Sequence, residues 1–288
     1  MDDRFEAVET LGDDHVGGRV TADDGARLWV DVHGRGRPVL LVHGWGASSA
    51  FWRRQLCLAD RFQVVTLDLR GHGRSNAVPR GHTLERLARD LRDVIRALNL
   101  DRAALVGWSL GGSVVLEHLR LFGAARLAAL GLVESCPYPF SDAPWNGHRL
   151  RDRNMAAMEE DLRRMAEDRT GYGNRFVDGM FLSCRAPAHG RQWMLAEHLR
   201  ADAGALAALY RDYARRDLTP VLPAIALPCL AMYGLARHVR AGGSTGRFVA
   251  GSIPGARLVT LEHSGHLPFY EETDLFNREL SAFLSHLP

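Results

Sequence analysis

Residues 103–112 read Ala103-Ala104-Leu105-Val106-Gly107-Trp108-Ser109-Leu110-Gly111-Gly112. The first four are apolar and fit a short buried strand, while residues 110–121 repeat apolar positions at helical spacing. Between strand and helix stands Gly-x-Ser-x-Gly. A serine on so tight a strand-to-helix turn is strained, and bulk two positions to either side would clash; Gly107 and Gly111 avoid that. The turn pushes the Ser109 hydroxyl out at the C-terminal edge of a sheet. The helix start behind it offers free backbone N–H groups to developing negative charge. Ser109 is therefore the candidate nucleophile.

Two other loops follow apolar runs of the same kind. His43-Gly44-Trp45-Gly46 follows residues 39–42, and can aim a backbone N–H at the point addressed by the N–H of Leu110. Trp45 and Leu110 are the expected oxyanion-hole donors. His43 is read as organising its loop. Residues 68–75, Asp68-Leu69-Arg70-Gly71-His72-Gly73-Arg74-Ser75, read as a hydrogen-bonded turn bracing the neighbouring loop.

The alternation extends along the chain. Strands are predicted at 26–33, 39–42, 62–67, 103–106, 127–133, 229–233 and 258–261, short and apolar enough to be buried on both faces. Helices are predicted at 84–98, 110–121 and 274–284; in the first, Leu84, Leu87, Leu91, Val94, Ile95 and Leu98 share a face. This pattern implies an α/β fold with a doubly wound, mostly parallel sheet. Residues 137–216 carry no strand signal. They show helical stretches at 152–169, 192–200 and 205–215, with Gly171, Gly173, Pro187 and Gly190 in loops. The expectation is a core of residues 1–136 and 217–288 with a helical cap, 137–216, inserted in it.

Composition narrows the class. The chain has 288 residues, enough for one large domain or a core with an insertion. A net charge of +2 gives no field that would favour nucleic acid or an anionic membrane. Every basic residue is Arg, unclustered, as a coding bias gives. No segment reaches the ~20 apolar residues of a membrane helix, and the first residues lack a secretory pattern. Cys57, Cys136, Cys184 and Cys229 are widely spaced and read as reduced thiols. The expectation is a cytoplasmic protein, monomer or homodimer, acting on a small molecule, with no metal and no organic cofactor.

The His43–Gly46 loop, the 68–75 turn, the 107–112 elbow and His263-Ser264-Gly265-His266 occur in the order found in the α/β-hydrolase superfamily, which the chain resembles over nearly its whole length. The Gly-Trp-Ser-Leu-Gly-Gly elbow and His-Gly-Trp-Gly loop are also similar to those of pimeloyl-ACP methyl ester esterases. The resemblance implies a Ser-His-acid triad with His266 as base; His263 is the nearby rival. Most relatives carry the acid after the penultimate strand, as Gly-x-x-Asp. Here that loop begins Gly234-Leu235-Ala236-Arg237, and no Asp or Glu occurs between Gly234 and Leu261. A minority place the acid one strand earlier, where this chain has Glu134. The alternatives are Glu262, an acid from the cap such as Asp142, or a dyad.

The expected function is a serine hydrolase that cleaves an ester or thioester of a medium-sized, largely apolar acyl or aromatic group, carrier-bound acyl groups included. The pocket is expected to be lined by Trp108, Tyr138, Phe140, Trp145, Met180 and Trp193. Two alternatives share the fold. One is a cofactor-independent ring-opening dioxygenase, which resembles this chain in its His-Gly-Trp loop and acid position. The other is a non-catalytic ligand-binding protein.

Overall fold

The computed structural model describes residues 3–10, 14–75, 78–235 and 242–287. Its strands are β1 (Phe5–Thr10), β2 (His15–Thr21), β3 (Arg27–His33), β4 (Pro38–Val42), β5 (Gln63–Leu67), β6 (Ala103–Trp108), β7 (Leu127–Val133), β8 (Cys229–Gly234) and β9 (Arg257–Leu261). They form one sheet in the order β1-β2-β3-β5-β4-β6-β7-β8-β9. The three pairings from β1 through β3 to β5 are antiparallel, and all the others are parallel.

Helices α1 (Leu84–Ala97) and α2 (Leu110–Phe122) precede and follow β6. Between β7 and β8 lie α3 (Met155–Glu167), α4 (Arg169–Asp178), α5 (Ala188–Arg200) and α6 (Ala203–Arg215). Then come α7 (Gly242–Ser252), α8 (Pro268–Glu271) and α9 (Thr273–Ser285). Every residue of β6 and β8 is buried, as the unbroken apolar runs require of strands covered on both faces. In α1, Leu84, Leu87, Leu91, Val94 and Ile95 are buried, each side chain contributing about 1.5–3 kcal/mol by leaving water. The Thr83 side chain caps this helix, and Asp212 of α6 accepts from the Leu84 N–H at 2.8 Å, tying α1 to the inserted helices.

Several elements depart from the sequence reading: α7 and α8 were not expected, and Gly190, read as a loop residue, lies inside α5. β1 and β2 were not expected. β1 is almost wholly exposed and β2 contains Gly17 and Gly18, so neither carries an apolar run. Gly171 and Gly173 lie in α4 rather than in a loop. Asp168 caps this helix by accepting from Gly171 N–H at 2.7 Å, and a Cβ on Gly173 would stand 2.7 Å from the Leu195 side chain of α5. Close approach of α4 and α5 uses the glycine that the pattern made look like a break.

Candidate active site

The elbow has the strain that its sequence implies. Ser109 has φ 54° and ψ −122°, a left-handed backbone that non-glycine residues seldom adopt. A Cβ on Gly107 would fall 2.5 Å from the Gly111 carbonyl oxygen, and one on Gly111 would fall 2.3 Å from that of Val42. Neither position accepts any other residue without moving backbone. Ser109 is the one partly exposed residue in a buried stretch, so its hydroxyl is presented to whatever enters.

His266 meets it. The imidazole Nε2 lies 2.9 Å from Ser109 Oγ, and Nδ1 lies 3.1 Å from Glu134 Oε2. The other oxygen of Glu134 accepts from the Gly234 N–H at 2.7 Å. The Glu134 side chain is 1% exposed and that of His266 4%, so the ion pair they can form is shielded from water. At Glu134 the chain turns from β7 into the left-handed region, with φ 45°. Its N–H still bonds to Met232 O, 3.0 Å away on β8. Glu262 and Asp142, the alternative acids, are both exposed, as is the rival base His263. Arg237, which stands where most relatives have the aspartate, lies outside the described residues.

The His266 loop is held from several sides. Its carbonyl accepts from the Trp108 indole at 2.7 Å, and its N–H donates to Met180 O at 2.7 Å. Glu271 accepts from Gly265 N–H and from Leu182 N–H, joining the loop to the segment after α4. Burial raises the Glu271 pKa above the usual carboxylate range. Glu272 accepts from His263 N–H and Ser264 Oγ. Neither glutamate was singled out in the sequence, where Glu271-Glu272 reads as an exposed helix start.

The oxyanion loop is braced by two neutral histidines. His43 Nδ1 lies 2.8 Å from Gly44 O, and its Nε2 accepts from Leu69 N–H at 2.9 Å. His72 Nε2 accepts from Gly46 N–H at 3.1 Å, and its Nδ1 lies 3.0 Å from Arg70 O. Each accepts through Nε2, which requires the proton on Nδ1. Full burial lowers the His43 pKa to about 4 and that of His72 to about 3. Asp68 completes the brace by accepting from the Ser49 and Arg74 N–H groups, both at 2.7 Å. The 68–75 turn thus holds the loop that carries Trp45. Leu110 opens α2, where first-turn N–H groups have no partner within the helix.

Trp45 reaches the inserted helices. Its indole donates to Leu206 O at 2.8 Å, and its ring lies against Phe176, Tyr210 and His198. His198 Nδ1 lies 3.1 Å from Gly46 O. Sequence reading missed His198; nothing in the pattern around α5 marks it.

The expected pocket residues divide. Trp108 and Met180 are each 1% exposed and hold the His266 backbone, and the Trp108 ring lies 5.5 Å from the His266 ring. Trp145 stacks on Phe248 of α7 at 4.1 Å. Tyr138 and Phe140 are partly buried just past Glu134. Trp193 packs on Phe51, whose ring stacks on Trp108, with the Arg53 guanidinium 3.4 Å above the Trp193 ring. An open groove of about 950 Å³ runs beside the His266 loop, lined by Phe181, Arg191, Leu195, His263 and Tyr270 among others.

Comparison with known proteins agrees with this architecture. The chain is 31% identical to a pimeloyl-[acyl-carrier protein] methyl ester esterase of Chromobacterium violaceum, over 89% of this chain and 98% of that one. It is 28% identical to the non-heme chloroperoxidase CPO-A1 of Kitasatospora aureofaciens, over 92% and 98%. A thermophilic esterase structure from Thermogutta terrifontis superposes with a TM-score of 0.78 at 27% identity, covering 93% of this chain and 98% of that chain. The model of the alpha/beta hydrolase family matches residues 39–279, and the chain belongs to that family.

Proposed function

We propose that the protein is a serine hydrolase that cleaves a carboxylic ester or thioester through an acyl-enzyme. The observation that carries this reading is the continuous line from Glu134 through His266 to Ser109, with contacts of 3.1 and 2.9 Å. His266 takes the Ser109 proton as the hydroxyl attacks the acyl carbon, and returns it to the leaving alcohol or thiol. Glu134 keeps the proton on Nδ1 and stabilises the imidazolium. The N–H groups of Trp45 and Leu110 hold the oxyanion, each typically worth ~3 kcal/mol of barrier. A water molecule, deprotonated by the same imidazole, then releases the acid.

Residues 137–216 act as the cap that shapes the pocket for the substrate's acyl or aromatic group. The kinship to an esterase of carrier-bound acyl groups supports including such substrates. A fluorophosphonate probe should label Ser109 stoichiometrically and fail on Ser109→Ala, which should also lose turnover of a nitrophenyl ester series and of acyl thioesters. Labelling that survives in Ser109→Ala would overturn the nucleophile. Oxygen uptake without acid release would put a ring-opening dioxygenase in its place, and absence of labelling a binding protein.

A further inference from the structure

Away from the elbow, β2 and β3 bring together three side chains that nothing in their sequence spacing connects. His15 lies directly opposite His33 in the antiparallel register, and Gly17 opposite Asp31. Because successive side chains alternate between faces, Trp29, Asp31 and His33 share the face that carries His15. The two imidazoles stack with centroids 3.9 Å apart, and the nitrogen and oxygen atoms that the three residues offer lie within 4.8 Å of one another.

We propose that His15, Asp31 and His33 form a three-ligand site for a divalent cation of the zinc class, with water completing the tetrahedron. The donor set, two imidazoles and one carboxylate, suits that ion, whose bonds to nitrogen and oxygen are about 2.0–2.2 Å. A tetrahedron with such bonds has donor-to-donor edges of roughly 3.3–3.6 Å. His15 Nε2 and Asp31 Oδ1 already stand 3.4 Å apart. A pivot of the partly exposed His33 ring brings in the third donor.

Two neighbours prepare the carboxylate. The Trp29 indole donates to Asp31 Oδ2 at 2.7 Å, fixing that oxygen and leaving Oδ1 for the cation, the kind of outer hydrogen bond that orients metal ligands. A Cβ on Gly17 would stand 2.9 Å from Oδ1, so the glycine leaves the space across which Asp31 reaches His15. All three ligands are partly exposed and line one groove, shared with Ser49 and Asp68, which gives an ion and its waters access. His33 pairs with Val64 near the start of β5, whereas Ser109 and Glu134 follow the C-terminal ends of β6 and β7. The site thus lies away from Ser109 and Glu134, and its groove reaches only the Ser49–Asp68 contact behind the oxyanion loop. A cation there would clasp β2 to β3, the second and third strands from the sheet's edge.

The test is zinc titration of the tag-free protein by calorimetry after dialysis against a chelator. One zinc should bind saturably, and thermal unfolding should shift upward by roughly 5 °C at a hundredfold excess over the dissociation constant. His15→Ala and His33→Ala should each weaken that binding by ~10-fold or more, with ester turnover unchanged. If an alanine variant fails to fold, His33→Gln takes its place, and Co²⁺ supplies a second readout in its visible absorption, strong for a tetrahedral site and lost in the variant. No saturable zinc uptake by the parent would overturn the proposal and leave a His15–Asp31 ion pair only. So would unchanged affinity in both variants, which would place the ion on other histidines or on Cys57 or Cys184.

Discussion

The edge of the sheet that carries Ser109 and the helices inserted between β7 and β8 are held by different forces. At the sheet edge each functional group is fixed by backbone. Ser109 and Glu134 sit at positive φ, Gly107 and Gly111 admit no side chain, and the His266 main chain is bonded on both sides. The inserted helices are held by side-chain packing, with Met158, Leu162, Phe176, Met194 and Leu209 buried, and carry partly exposed ion pairs such as Arg211–Glu159 on their outer faces. Such pairs are worth little in water, at most about 1 kcal/mol each. The proposed catalytic groups therefore rest on main-chain constraints, and the proposed cap on side-chain packing. Trp45 is where the two meet.

The largest expected effect lies wholly on the rigid side. In Glu134→Gln the amide oxygen keeps the bond from Gly234 N–H, which leaves the amide NH2 facing His266 Nδ1. That ring nitrogen must then accept, the proton moves to Nε2, and the imidazole no longer takes the Ser109 proton. The corresponding change in other triads costs ~10⁴ in kcat. Steady-state kinetics should show that loss in kcat with KM and the circular dichroism spectrum little changed. Activity within tenfold of the parent would remove Glu134 from the triad.

This residue also shows how far the sequence could be read. The elbow, the His266 loop and the strands from β3 to β9 were legible because burial on both faces leaves an unbroken apolar run and because strained turns demand glycine. Glu134 was legible only through the resemblance, since a minority of relatives place the acid one strand earlier and no Asp or Glu occurs between Gly234 and Leu261. The rest had no signal of its own. Trp108, Met180, Glu271 and His198 act through contacts with main-chain groups 86 to 158 residues away, where any large or polar side chain reads alike. β1 faces water and β2 is interrupted by Gly17 and Gly18, so neither carries a core pattern.

A smaller effect concerns the brace of the oxyanion loop. His43 and His72 are neutral when folded, with pKa values of about 4 and about 3, against ~6.5 for an unfolded histidine. Between those values the unfolded chain binds more protons, so stability is full above pH 6.5 and falls as pH drops toward 4. The slope approaches ~1.4 kcal/mol per pH unit for each histidine. Buried carboxyls titrate too, so the informative quantity is a difference between proteins. His72→Gln keeps an acceptor for Gly46 N–H and a donor for Arg70 O but cannot charge. Urea unfolding at pH 7, 6 and 5 should give it a shallower decline than the parent, and equal slopes would show that His72 is not held neutral.

The smallest effect tests the meeting point itself. Trp45→Phe leaves the backbone N–H in place and keeps most ring contacts, but loses the indole bond to Leu206 O of α6. A hydrogen bond of this kind contributes about 1 kcal/mol net. If the inserted helices help to hold the oxyanion loop, part of that loss appears at the transition state, and kcat falls by roughly fivefold. If they shape only the pocket, KM changes across an acyl-chain series while kcat for the best substrate stays put. The two outcomes are separable because the substituted side chain lies on the helix side of the loop, whereas the N–H proposed to meet the oxyanion belongs to the main chain.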